Sequence, residues 1–218
     1  MLKLQLIVGS TREGRNAGAV LNWLLPAIKQ ASGFALEVLD LRDWPLPMFQ
    51  ETVETVGDPR NPAYSDPLVK RWNERIGEGD AYLIVTPEYN HGIPAVLKNA
   101  IDSVFFSYGF RHKPVAFVGY SLGVAAGVRA VEHLQHVMIE AEALPVRTQT
   151  LVPFVSAAFD ASGQPTNPAL EIGLGVMLED LAWLGNALKA ARAGGVLQPP
   201  TLRIWNTLAE LEKRGTKP

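Results

Sequence analysis

The chain has 218 residues, 20 basic against 22 acidic and a formal net charge of −2, a length at which one core buries roughly 70–75% of the unfolded chain's surface. The absence of cysteine excludes a disulfide scaffold, a thiol enzyme and a thiolate zinc site, and four histidines, at 91, 112, 133 and 136, leave few general bases or metal ligands. Near-neutral charge supplies no basic face for nucleic acid.

Residues 1–8 are apolar but carry one lysine and stop at Gly9, too short for a signal h-region with a cleavage site or for a membrane span. A cytoplasmic protein without a membrane segment is the expectation. The apolar run 2–8, closed by Gly9-Ser10-Thr11, reads as a buried parallel strand ending in a loop. From Ala17 onward Val20, Leu21, Leu24, Leu25, Ile28 and Ala31 fall at helical spacing, with Pro26 expected to kink or shorten the helix. Residues 35–41 form the next strand, and a proline-containing stretch, 44–49, leads into a polar loop that runs to about Asp66. A helix over 67–76 and a third strand over 81–86 follow, and that strand ends in Pro87-Glu88-Tyr89-Asn90.

Pro94 is placed as the first residue of a helix whose buried stripe is Leu97, Ile101, Val104 and Phe105. A fourth strand covers 114–119, a long helix 124–143, a fifth strand 146–153 and a last long helix 169–192. Segments 154–168 and 194–200 are rich in Gly, Pro and Ser and read as loops, and the tail 201–218 has a short helical pattern and a charged end. Residues 1–193 are therefore expected to form one domain, with 194–218 an extension packed on it or trailing from it.

Five strands alternating with helices specify an α/β fold: a doubly wound parallel sheet with helices on both faces, in the flavodoxin-like order 2-1-3-4-5. Strands 1, 3 and 4 are then neighbours, and the loops 9–16, 87–92 and 119–123 meet at the carboxyl edge, where such sheets bind ligands.

Each loop has its own chemistry. Residues 9–16 carry Ser10, Thr11, Arg12, Arg15 and Asn16 around a turn permitted by Gly9 and Gly14, ahead of a helix. Hydroxyls, guanidinium groups and helix-start N–H groups suit a phosphate. The Gly9-x4-Gly14 spacing is P-loop-like, but Arg15-Asn16 stands where Lys and Ser/Thr would reach the terminal phosphates and magnesium, which disfavours a nucleoside triphosphatase. Pro87, Glu88, Tyr89 and Asn90 can set peptide groups against the edge of a planar ring while side chains cover its face. Gly119-Tyr120-Ser121-Leu122-Gly123 matches the G-x-S-x-G nucleophile elbow, which raises a Ser121 hydrolase. That reading needs a late histidine, and none follows His136; His133 and His136 share a helix face with Arg129, Glu132 and Glu140, opposite Val131, Leu134 and Met138, as surface or interface residues do. A phosphate pocket beside a ring pocket describes a mononucleotide with a flat head. Flavin mononucleotide (FMN) fits, and no G-x-G-x-x-G fingerprint of a tightly bound dinucleotide follows any strand.

These residues resemble the NAD(P)H-dependent FMN reductase family of flavodoxin-like proteins, relatives of quinone, azo and chromate reductases. The likeness covers roughly residues 2–153 and is carried by Gly9-Ser10-Thr11-Arg12 with Gly14-Arg15, and by Thr86-Pro87-Glu88-Tyr89-Asn90 continuing through Pro94, Leu97-Lys98-Asn99-Ala100 and Asp102. Residues 119–127 followed by Arg129-Ala130-Val131-Glu132 add to it. The resemblance implies that Ser10, Thr11, Arg12, Arg15 and Asn16 hold the FMN phosphate, that Pro87, Glu88, Tyr89 and Asn90 line the isoalloxazine, and that Tyr120, Ser121 and Gly123 close its other side. It implies hydride transfer from NADPH or NADH through flavin N5 to a quinone, a free flavin or a similar small acceptor, in a homodimer or homotetramer with the flavin near the subunit boundary. The cofactor carries the chemistry, so neither an acid–base catalyst nor a metal ligand is assigned. Loops 50–66 and 154–168 are expected to shape the acceptor site. Two departures from the family pattern stand out, Gly92 in place of a common serine and Ala126-Gly127 in place of Gly-Gly. The remaining alternative is a flavodoxin-like electron carrier without turnover of its own, against which a charge of −2 argues, since such carriers are strongly acidic.

Overall fold

The computed structural model describes residues 1–58 and 61–214. Its frame is a parallel sheet of β1 (Leu2–Val8), β2 (Phe34–Asp40), β3 (Ala81–Pro87), β4 (Pro114–Tyr120), β5 (Leu144–Pro145) and β6 (Thr150–Val152). The order is β2-β1-β3-β4-β5, with β6 also pairing to β4, so the expected 2-1-3-4-5 arrangement holds with its fifth strand in two pieces.

The three central strands are apolar at nearly every position because both faces are covered. Successive strand side chains point to opposite faces. Leu4, Leu6, Val8, Leu83, Val85, Ala116 and Val118 therefore belong to one core, with Val20, Trp23 and Leu24 of α1 (Ala17–Gln30) and Leu174, Met177 and Leu181 of α6 (Pro168–Ala193). Ile7, Tyr82, Ile84, Val115 and Phe117 belong to the other. That second layer comes from α3 (Pro67–Gly77), α4 (Ala95–Asp102) and α5 (Val128–Glu140), and includes Trp72, Leu97 and Leu134. The Trp72 indole N–H is satisfied by the Ala100 carbonyl at 2.8 Å. A short helix, α2 (Val53–Val56), interrupts the polar segment after β2, and α7 (Pro200–Lys213) closes the described chain with no buried residue. Positions 215–218 of the tail lie outside the described residues. Among the described residues no helix is long and apolar enough to cross a membrane.

Five local expectations are corrected. Helix α1 runs through Pro26 to Gln30, because Pro26 and Asn22, the residue whose carbonyl it leaves without a donor, both lie on the exposed face. Pro94 is the residue before α4 rather than its first, and Phe105, expected in the buried stripe, is 56% exposed. The long helix expected from residue 124 starts only at Val128, since Ala126 (φ 55°) and Gly127 (φ 84°) occupy left-handed backbone that no helix can contain. The fifth strand is broken because Pro145 pairs with Val115 and Thr150 with Val118; four residues, 146–149, stand opposite two, so the surplus leaves the ladder.

Candidate functional site

The register of the central strands brings three loop starts together. Val8 lies beside Val85, Thr86 beside Gly119 and Pro87 beside Tyr120, so the chain leaves β1, β3 and β4 at one sheet edge. Gly9 makes the first exit possible: a Cβ there would meet the Leu97 side chain at 2.9 Å and the Val85 carbonyl at 3.1 Å. The edge encloses a cavity of about 320 Å³. The first loop lines it with Arg12, Arg15 and Asn16, the second with Pro87, Glu88 and Tyr89, and the third with Tyr120 and Ser121. Gly14, which permits the turn, completes the wall with Glu13, Leu122 and Val155, to which the sequence reading gave no role of their own.

The other expected residues stand around this wall. Ser10 is fully buried behind it, its hydroxyl 2.8 Å from the Tyr89 hydroxyl. Thr11 is exposed beside it. Asn90 is exposed at the tip of a tight turn, and Gly123 follows the lining residues of the third loop. Of the loops expected to shape the acceptor site, 154–168 reaches the cavity through Val155, whereas no described residue of 50–66 lines it.

Polar groups in the first loop lack partners. Among the described residues, no backbone N–H from Ser10 to Asn16 has an acceptor within the chain. Asn16 precedes α1 without a side-chain capping bond, and no acidic residue occupies the helix's first turn. A row of free donors at an uncompensated helix start suits an anion. Arg12 holds its guanidinium 4.0 Å over the Tyr89 ring, a cation–π contact that keeps the charge at the cavity, and among the described residues no carboxylate pairs with it. Arg15 is engaged: it forms a forked ion pair with Asp40 and donates to the Ser10 carbonyl. That pairing raises the pKa of the guanidinium above its ordinary value.

The second loop is a tight two-residue turn. Tyr89 and Gly92 exchange backbone bonds of 2.9 and 3.0 Å, while Asn90 (φ 50°) and His91 (φ 66°) take left-handed conformations between them. Glu88, its side chain almost wholly buried, pairs with the Arg129 guanidinium and accepts from the Arg129 backbone N–H at 3.3 Å. Arg129 also reaches His91 at 2.7 Å. The sequence pattern had placed Arg129 on an outer helix face; its position at the start of α5, beside the β3 exit, is a tertiary fact with no local signal.

The third loop turns its serine onto its own backbone. The Ser121 hydroxyl donates to the Gly123 carbonyl at 3.0 Å, and among the described residues no histidine bonds to it. Tyr120 is 3% exposed, and among the described residues its hydroxyl, with Ser10 nearby, forms no well-aligned hydrogen bond. Burial, with Tyr89 close by, pushes that phenol far above its usual range, so it is a neutral donor at every ordinary pH. A buried hydroxyl at the cavity wall without a partner, next to a row of free N–H groups, marks a place for a polar ligand. An anionic tail at the first loop and a planar head against Pro87, Tyr89 and Ser121 is the shape these residues accommodate.

Residues 2–156 match the family model described as NADPH-dependent FMN reductase. The chain is 32% identical over 171 residues to an NAD(P)H-dependent FMN reductase of Schizosaccharomyces pombe, covering 78% of this chain and 80% of the relative. It is 32% identical over 166 residues to one of Pseudomonas aeruginosa, covering 75% and 84%. A quinone reductase of Escherichia coli is 34% identical over 146 residues, or 65% and 73%. Among solved structures, FerB, a flavoenzyme NAD(P)H:(acceptor) oxidoreductase from Paracoccus denitrificans, superposes with a TM-score of 0.67 at 23% identity, over 85% of this chain and 98% of that one.

Proposed function

The chain belongs to the NADPH-dependent FMN reductase family and is an FMN-dependent NAD(P)H oxidoreductase with a small-molecule acceptor, and from that premise we propose how its own residues serve the reaction. The observation that carries the reading is the meeting of three loops on one cavity, where the free N–H groups from Ser10 to Asn16 stand beside the unpartnered Tyr120 hydroxyl.

Bound FMN supplies acceptance of hydride at N5 and onward delivery of the electrons to a quinone, a free flavin or a similar acceptor. The protein's part is orientation and electrostatics. Ser10, Thr11, Arg12 and Asn16 hold the phosphate, with Arg12 as the unpaired cation. Arg15 shapes that loop through Asp40. Pro87, Glu88, Tyr89 and Asn90 set the ring's plane, and the exchanged bonds of the Tyr89–Gly92 turn keep that edge from yielding. Tyr120, Ser121 and Gly123 close the opposite side. No side chain is required to move a proton.

The assembly is a homodimer or homotetramer in the cytoplasm. Exposed Ile172, Val176 and Trp183 on α6, and Ile204 and Trp205 on α7, support that reading, since large exposed apolar patches mark contact surfaces. Light scattering at micromolar concentration is expected to give a multiple of the 23.7 kDa chain mass; a monomer overturns the assembly.

The function is tested by purifying the protein and denaturing it. FMN is expected in the supernatant, and NAD(P)H oxidation is expected with quinone as acceptor. A colourless protein that gains no NAD(P)H oxidation when FMN and quinone are added removes the reading.

A further inference from the structure

Three consecutive carbonyl groups of the first loop are held by two arginines, Arg15 of the loop itself and Arg42 just beyond β2. Arg15 donates to the Ser10 carbonyl, and Arg42 donates to those of Thr11, at 3.4 Å, and Arg12. Both arginines are organised by one carboxylate. Asp40, the last residue of β2, receives the forked pair from Arg15 and the Arg42 backbone N–H at 3.0 Å. The Arg15 and Asp40 side chains are only 10% and 20% exposed, so this pair is partly withdrawn from water and fixed in geometry. Sequence separation hides the arrangement, since Asp40 and Arg42 lie 25 and 30 residues from their partners.

The consequence is electrostatic. A loop that presents carbonyl oxygens to an anion repels it, whereas one whose carbonyls are covered by guanidinium groups turns its free N–H groups and a net positive potential toward the ligand. We infer that Asp40 is a positioning residue for phosphate recognition: through Arg15 and Arg42 it fixes the carbonyls of Ser10, Thr11 and Arg12 away from the anion and leaves the N–H groups of residues 10–16 to bind it. Asp40 itself touches no ligand. The inference rests on the assignment of the first loop to the FMN phosphate. The site stays competent at neutral and mildly acid pH, because Arg15 and Arg42 hold the Asp40 carboxyl below the usual range despite its burial.

The test compares FMN with riboflavin, the same ring without the phosphate, by fluorescence titration of flavin-stripped protein. Wild type is expected to bind FMN more tightly. Asp40→Asn is expected to weaken FMN by about tenfold to a hundredfold, the range for losing charge-assisted positioning, while riboflavin changes by less than about twofold. Equal weakening of both ligands makes Asp40 a scaffold residue and overturns the inference, as does an unchanged FMN affinity. A wild-type protein that does not distinguish the two flavins removes the phosphate assignment and the inference with it. If Asp40→Asn does not fold, Arg42→Lys decides: it keeps the charge but cannot hold two carbonyls in a fork. A selective loss of FMN affinity is expected there, and unchanged FMN affinity or equal loss for both flavins overturns the inference.

Discussion

Arg12 and Arg15 lie in one loop and are indistinguishable in the sequence, yet the fold gives them opposite employment. Arg15 is spent on Asp40 and the Ser10 carbonyl, and Arg12 is left over Tyr89 with its charge uncommitted. Replacing Arg12 by alanine should remove charge-assisted bonds worth roughly 1.5–3 kcal/mol, weakening FMN about tenfold to a hundredfold. Flavin fluorescence titration measures this directly, and an unchanged dissociation constant moves the phosphate away from Arg12. The loop's composition was legible because hydroxyls, glycines and guanidinium groups between a strand and a helix are a local pattern. Which arginine keeps a free charge was not, because Asp40 arrives from β2, 25 residues on, and a separation of 41 residues likewise hid Arg129 from Glu88. The Tyr120 hydroxyl has the same character: that residue ends a buried strand, and only packing determines that no well-formed hydrogen bond reaches its oxygen among the described residues.

At the scale of elements, periodicity located each long helix and each central strand but not where the chain must stop being regular. The helix after β4 shows this. Residues 124–127 have the composition of a helix start, yet Gly127 at φ 84° lies so close to β4 that a Cβ would stand 2.6 Å from the Tyr120 backbone nitrogen and 3.0 Å from the Gly119 carbonyl carbon. Glycine there lets the third loop fold flat against the strand end, and α5 begins only beyond it. Gly127→Ala combines left-handed strain of about 1–2 kcal/mol with overpacking of about 1–3 kcal/mol. It should therefore lower unfolding free energy by at least about 2 kcal/mol in urea titration. Gly123→Ala is a control of matched chemistry: among the described residues, its chain neighbours aside, no atom lies within 4 Å of the Cβ it would add, and its φ is not in the left-handed region. Equal stability of Gly127→Ala and wild type would mean that the loop packs differently. The broken fifth strand escaped notice for a related reason, since both of its pieces are apolar and the four-against-two mismatch with β4 exists only in the register.

Over the whole molecule, the sheet order was legible because a chain that alternates strands and helices, with three central strands apolar at nearly every position, has few topologies open to it. The edge opposite the cavity was not, and it holds a buried lysine that shapes the pH dependence of the fold. Lys113 is buried, with its ammonium donating to the Gly77 and Gly109 carbonyls at 2.7 and 2.8 Å and lying 3.1 Å from the Tyr82 hydroxyl. Burial, and secondarily Arg192, drops its pKa to about 8, with Asp80 opposing. In the unfolded chain the same lysine keeps its proton to about pH 10. Between about pH 8 and 10 the unfolded state therefore holds a proton that the folded state has released, so stability rises with pH in that window, by on the order of 2–3 kcal/mol in total. Above it, Tyr64, pushed by burial up to about 12, reverses the trend, because the unfolded phenol ionises first. Urea denaturation from pH 7 to 10 should show the rise in wild type and a flat profile in Lys113→Met, whatever that substitution does to absolute stability through the carbonyls it strips. A rise of the same size in Lys113→Met would assign the titration to another group; no rise in wild type would mean that Lys113 keeps its proton in the folded state, with the two carbonyls offsetting its burial.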